Sequence, residues 1–181
     1  MVTEADHPWT AGGVRIAKSA LRAIEEDALA GYAREEEACG YLRGPLHDPL
    51  LCDEHFRMEN VANKLHALDP DRYFRTGRTY FEFNGVKFER ALASSLAEGR
   101  PVKVLYHSHL DAGAYFSPTD AAAMSQGKMP EVEGGPVEMG SGPPWPLVFL
   151  VTSVRSGSIA EHGLFVWDGG AFVRSTYTVI E

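Results

Sequence analysis

The stretch HSHLDAGAYFSPTD, running from His107 to Asp120, holds two histidines, two serines and two aspartates. Side chains alternate faces along a strand, so His107 and His109 project the same way and offer two imidazole nitrogens side by side, a ready pair of metal ligands. With seven histidines in 181 residues, an H-x-H pair alone arises by chance in about a quarter of such chains. The following SPTDAAAM reads as a helix start, with Ser117 as N-cap, Pro118 in the first helical position and Asp120 in the third. Capping needs no metal, yet a carboxylate fixed in a first turn is also a rigidly aimed ligand. Two neutral imidazoles plus the Asp120 carboxylate leave a fourth tetrahedral position for water, the pattern of a catalytic zinc site. Asp111 is the rival third ligand: it shares the histidine face if the strand continues, although Gly113 and the turn-prone DAGA end the strand first. The same donors also suit non-haem Fe(II).

The elements that must position these groups follow from periodicity. Ala17, Leu21, Ile24, Ala28 and Tyr32 recur at helical spacing among Arg22, Glu25, Glu26 and Asp27, which predicts an amphipathic helix to about Ala33. Glu37 to Arg43 suits a strand, and the stretch from Leu50 to Ala62 pairs with it as a hairpin after the turn at residues 44–49. A second helix is expected over Asn84 to Glu98, stopped by Gly99, with Phe88, Leu92 and Leu96 on one side. Val102 to His109 is the next strand, and Pro146 to Val154, His162 to Asp168 and Ala171 to Ile180 complete a mixed sheet with helices packed on it. Residues 126–146, rich in Gly and Pro, are expected to form a long mobile loop.

Composition narrows the function classes. Lys and Arg total 17 against 25 Asp and Glu, a formal net charge of −8, which argues against nucleic acid or an anionic membrane surface as partner. No run approaches the roughly 18 apolar residues of a membrane span, and the amino terminus lacks the basic and apolar regions of a leader, so a cytoplasmic protein of one domain, residues 1–181, is expected. Cys39 and Cys52 match no metal knuckle and are expected as buried small hydrophobes rather than a disulfide or a nucleophile. His7, His47, His55, His66 and His162 are scattered and read as surface or satisfied histidines; Tyr115 and Phe116 read first as packing residues, with one wall of a substrate groove as the alternative.

Taken with E-A-C-G at Glu37 to Gly40, the series H-S-H, seven residues, S, two residues, D resembles the JAMM motif of the MPN-plus zinc metalloproteases, in the free-standing prokaryotic form. The fixed offsets lower the chance expectation to about one chain in a thousand. The resemblance runs from about Val14 to Glu181 and includes ENVAN at Glu59 to Asn63; where relatives often carry proline after the second histidine, this chain has Leu110. It implies a single α/β domain with a mixed, mostly antiparallel sheet flanked by helices, layered like a cytidine deaminase. It also implies one zinc ion held by His107, His109 and Asp120, Glu37 as general base and Ser117 as oxyanion donor. Of the adjacent Glu35, Glu36 and Glu37, only this alignment selects Glu37. The implied activity is hydrolysis of the amide bond after the Gly-Gly tail of a ubiquitin-fold protein, foremost the maturation of a sulfur-carrier precursor. Deconjugation of a ubiquitin-like modifier and a metal-free scaffold are the alternatives, and monomer and homodimer stay open.

Overall fold

Every residue of the strand Val102–Leu110 (β5) is buried, Lys103, His107, Ser108 and His109 included, because both faces of this central strand are covered by other elements. The computed structural model describes residues 6–181, so the first five residues of the stretch expected to carry no leader lie outside the described residues. The elements of the described residues start with a 3-10 turn at Pro8–Ala11, strand β1 at Val14–Ala17 and helix α1 at Lys18–Ala33. Strands β2 (Cys39–Arg43), β3 (Leu51–Cys52) and β4 (Glu54–Met58) follow, then helices α2 (Ala62–Leu68) and α3 (Gly85–Ala97) ahead of β5. Helix α4 (Pro118–Met124) and strands β6 (Val148–Arg155), β7 (Ser158–Trp167), β8 (Phe172–Ser175) and β9 (Tyr177–Ile180) complete the order.

The main sheet runs β4-β2-β5-β6-β7-β8, and all its pairings are antiparallel except β5 with β6. That is the mixed, mostly antiparallel sheet expected. The expected hairpin divides in two: β4 pairs with β2 from Cys39↔Met58 to Arg43↔Glu54, whereas β3 lies parallel to β1. The terminal strand expected over Ala171 to Ile180 also divides, with β8 on β7 and β9 parallel to β1. A second sheet of order β3-β1-β9 results. Its strands of two to four residues have no stability apart from one another, so no local pattern announces them.

The main sheet carries a core on each face. Ile24 of α1 packs with Ile16, Leu42, Tyr106 and Leu150 on one side, while Tyr41, Phe88, Leu105, Phe149 and Phe165 form the other cluster. Asn84 caps α3 by accepting from the Lys87 amide, and Gly99 past its end has φ of +71°, the left-handed residue that stops a helix. Two expected faces are adjusted. Leu96 is left 54% exposed, and Asp27, predicted on the polar side of α1, is buried. There it accepts from Tyr106 Oη at 2.6 Å and Arg57 Nε at 2.9 Å, which satisfies a carboxylate that would otherwise be costly to bury.

Cys39 and Cys52 are free and buried. Burial is the main reason that the Cys52 thiol is pushed up to about 12, and burial followed by the Asp27 and Glu37 charges raises Cys39 further. Because the thiolate is the reactive form, neither thiol should be alkylated by iodoacetamide at pH 8 in the folded protein, and both should react in denaturant, read by mass spectrometry. Modification of either native thiol would contradict the burial described. No helix among the described residues is long and apolar enough to cross a membrane. Residues 126–146 contain no helix or strand; a Lys128↔Glu138 bridge and a Gly142 amide bond to the Ser125 carbonyl tie the segment at its base.

Candidate metal centre

His107 and His109 sit near the end of β5, fixed by pairing on both sides: His107 is opposite Cys39 on β2 and Val151 on β6. The period of two holds, and both imidazoles face the start of α4. Ser117 accepts the Asp120 amide through its side chain while the Asp120 carboxylate accepts the Ser117 amide, a complete capping box. This reciprocal bond aims the carboxylate. Asp120 Oδ2 lies 3.1 Å from His107 Nε2 and 3.3 Å from His109 Nε2, and the two nitrogens are 3.2 Å apart.

These three edges permit a test of metal fit. A tetrahedral ion with ligand bonds of about 2.0–2.1 Å requires ligand atoms about 3.3 Å apart, so the triangle already has the dimensions of one tetrahedral face. Protonation agrees with ligation. His109 Nδ1 is 2.8 Å from the Gly113 carbonyl, an acceptor only, so Nδ1 carries the hydrogen and Nε2 presents its lone pair to the cluster. Burial lowers the His107 imidazole below its ordinary value against the pull of Asp120, leaving it neutral at pH 7. Burial would raise the Asp120 carboxyl, but the two imidazoles outweigh that and hold it far below the usual carboxylate range. The residues fit a divalent ion.

Glu37 lies just before β2 and is only 3% exposed. A carboxylate oxygen of Glu37 and one nitrogen from each histidine all lie within 4.8 Å of one another, and Glu37 Oε1 is buried without a hydrogen-bond partner. An orphaned carboxylate oxygen is expensive to bury unless a ligand meets it. Burial, then the Asp120 charge, pushes the Glu37 carboxyl well above its ordinary value, with Arg75 opposing. Of the three adjacent glutamates, Glu35 is exposed beside Arg78 and Glu36 binds Arg34; only Glu37 turns inward. Asp111, the rival ligand, is exposed with φ of +54° and accepts from Tyr32 Oη and the Ser156 amide, outside the cluster. Tyr115 stacks edge-on beside His109, and Phe116 belongs to the aromatic core.

Sequence reasoning missed several residues that hold this arrangement. Phe81 stacks on the His107 ring at 4.3 Å between centroids, fixing its plane. Ser108, buried between the histidines, accepts the Ala38 amide and so locks the Glu37 segment to β5. Asn60, in the ENVAN stretch, donates to the carbonyls of Glu37 and Tyr80 and accepts from the amides of Ala62 and Glu82. A buried asparagine whose partners, apart from Ala62, lie 20 to 23 residues away is invisible to periodicity. Asn60→Asp keeps the shape but sets an acceptor against two carbonyls. Each lost buried bond costs roughly 1–3 kcal/mol, so the variant should lose about 3 kcal/mol in urea unfolding, whereas a loss below about 1 kcal/mol would refute the clamp.

A sheet of this order with its histidine and carboxylate cluster beside the central strand defines the class, an α/β domain of the JAB/MPN type. The family model described as prokaryotic homologs of the JAB domain matches residues 17–161, and the chain belongs to that family. The family includes metalloisopeptidases and also inactive members. No curated protein matches the sequence. Among solved structures, the chain is similar to a protein from Desulfitobacterium hafniense solved in solution, with a TM-score of 0.58, 15% identity, and 93% of each chain covered. It is similar to another from Salinibacter ruber, with a TM-score of 0.56, 20% identity, and 93% of this chain and 92% of that one covered. A JAB1/MPN domain protein from Archaeoglobus fulgidus aligns over 93% of this chain and 99% of its own, at 13% identity and a TM-score of 0.48.

Proposed function

We propose that this chain is a zinc-dependent peptidase or isopeptidase that hydrolyses the amide bond following the Gly-Gly tail of a ubiquitin-fold protein. The observation that carries the reading is the triangle of His107, His109 and Asp120 ligand atoms with edges of 3.1–3.3 Å beside the unpartnered Glu37 Oε1. A zinc ion bound there supplies Lewis acidity and lowers the pKa of a water toward about 7. Glu37 Oε1 takes the proton of the attacking water and delivers it to the leaving nitrogen. Ser117 Oγ is already an acceptor for the Asp120 amide, so its hydroxyl hydrogen is free to donate to the developing oxyanion. One such donor is worth about 3 kcal/mol of transition-state stabilisation. A scaffold would have no reason to keep a ligand triangle together with an unsatisfied carboxylate.

The Gly-Gly substrate rests on the family resemblance, and within it maturation of a sulfur-carrier precursor is preferred to deconjugation. The zinc-loaded full chain should trim a ubiquitin-fold precursor to a product ending at Gly-Gly, seen by intact mass, with a chelator stopping the reaction and zinc restoring it. A protein that cuts neither such precursors nor Gly-Gly isopeptide conjugates when fully zinc-loaded would end the proposal.

A further inference from the structure

Next to the candidate metal centre is a cavity of about 160 Å³ lined by Ala62, Leu65, Tyr73, Phe74, Tyr80 and Met129, with Arg72, Arg75 and Glu82 also on its wall. It adjoins the centre through shared bonds. Asn60 binds the carbonyls of both Glu37 and Tyr80 and the amide of Ala62, and Arg75 Nη1 donates to Thr119 Oγ1 at 2.9 Å, one residue from Asp120. Leu65, Tyr73, Phe74, Tyr80 and Met129 are all only half-buried, so five large apolar side chains converge on unfilled space.

Resting on the proposed hydrolysis, we propose that this cavity receives one large apolar side chain, of phenylalanine or leucine size, from the substrate segment beyond the scissile bond. Three observations select that occupant. An apolar cavity of about 150 Å³ accommodates a benzene ring, so the volume matches one such side chain. Gly-Gly has no side chain to offer, which leaves the leaving-group side as the source nearest the centre. Arg72 and Arg75 outnumber Glu82 on the wall and disfavour a lysine or arginine, and the Arg75 guanidinium is held over the rings of Phe74 and Tyr80 at 5.3 and 6.0 Å. Met129 brings residues 126–146 into the wall, so that segment helps to set which side chain the cavity accepts.

The first test breaks no bond and uses the metal-free full chain: titration with N-acetyl-phenylalaninamide, followed by NMR. Saturable shifts at Leu65, Tyr73, Phe74, Tyr80 and Met129 are expected, and they should vanish in Met129→Trp, whose indole fills the space. Leu65→Trp fills it from the other wall and guards against a folding defect in the first variant. Absence of shifts at these residues, or larger shifts with N-acetyl-lysinamide, overturns the proposal. The second test compares kcat/KM for precursors with Gly, Lys, Leu or Phe at each of the two positions after Gly-Gly. Phenylalanine or leucine at one of them should exceed glycine by about ten-fold or more, a preference that flattens in Met129→Trp, and equal rates throughout overturn it. If no precursor is cut, hydrolysis fails as the function and the binding titration alone decides the pocket.

Discussion

Replacing Glu37 by Gln is expected to leave zinc near one ion per chain while hydrolysis of a Gly-Gly precursor falls by about 10²–10⁴-fold, the usual contribution of a positioned acid–base group. The amide has nearly the shape of the carboxyl and is not one of the three closest ligand groups, so the triangle of His107, His109 and Asp120 should survive. What disappears is the proton acceptor at Oε1. Cleavage at the wild-type rate would show that Glu37 is not the base, and loss of zinc would make it a ligand. The metal-free protein gives an independent reading. Burial raises the Glu37 carboxyl above its ordinary 4.5, so folding favours the protonated form. The penalty is absent well below that value and grows as pH rises through and above it. At pH 7 metal-free Glu37→Gln should therefore unfold at higher denaturant than wild type, with the difference vanishing near pH 4.

His107→Ala should lose both metal and activity. Zinc that binds only the folded protein stabilises it by about 4 kcal/mol at a thousand-fold excess over Kd, about 10 °C in melting temperature for a chain of this length. Wild type should show a rise of that order, and His107→Ala should show none, because one of three ligands is gone and Phe81 loses the ring it stacks on. Asp111→Ala separates the rival ligands. Its carboxylate is bound by Tyr32 Oη and the Ser156 amide, so the zinc-dependent rise should remain. A rise preserved in His107→Ala, or abolished in Asp111→Ala, would relocate the metal.

The sequence by itself determined the elements whose signals are local. The 3.6-residue spacing from Ala17 gave α1 to Ala33, Asn84 and Gly99 marked the two ends of α3, and the Ser117–Asp120 offset specified a capping box that the structure contains. The alternation that puts His107 and His109 on one face is a property of any strand, so half of the ligand geometry was legible before the fold was known. Long-range placement was not legible. Whether Asp111 or Asp120 meets the imidazoles depends on where β5 stops, and the backbone of Asp111 turns left-handed just beyond it. Glu37 differs from Glu35 and Glu36 because Asn60 and the Gly77 carbonyl hold its own backbone and Ser108 of β5 holds the next amide, that of Ala38, bonds that span 23 to 70 positions along the chain. The second sheet, made of strands too short to stand alone, likewise exists only once the first has brought its pieces together. Patterns with a period of two or 3.6 residues are written into neighbouring side chains, whereas a partner for a buried carboxylate is chosen by packing between distant segments.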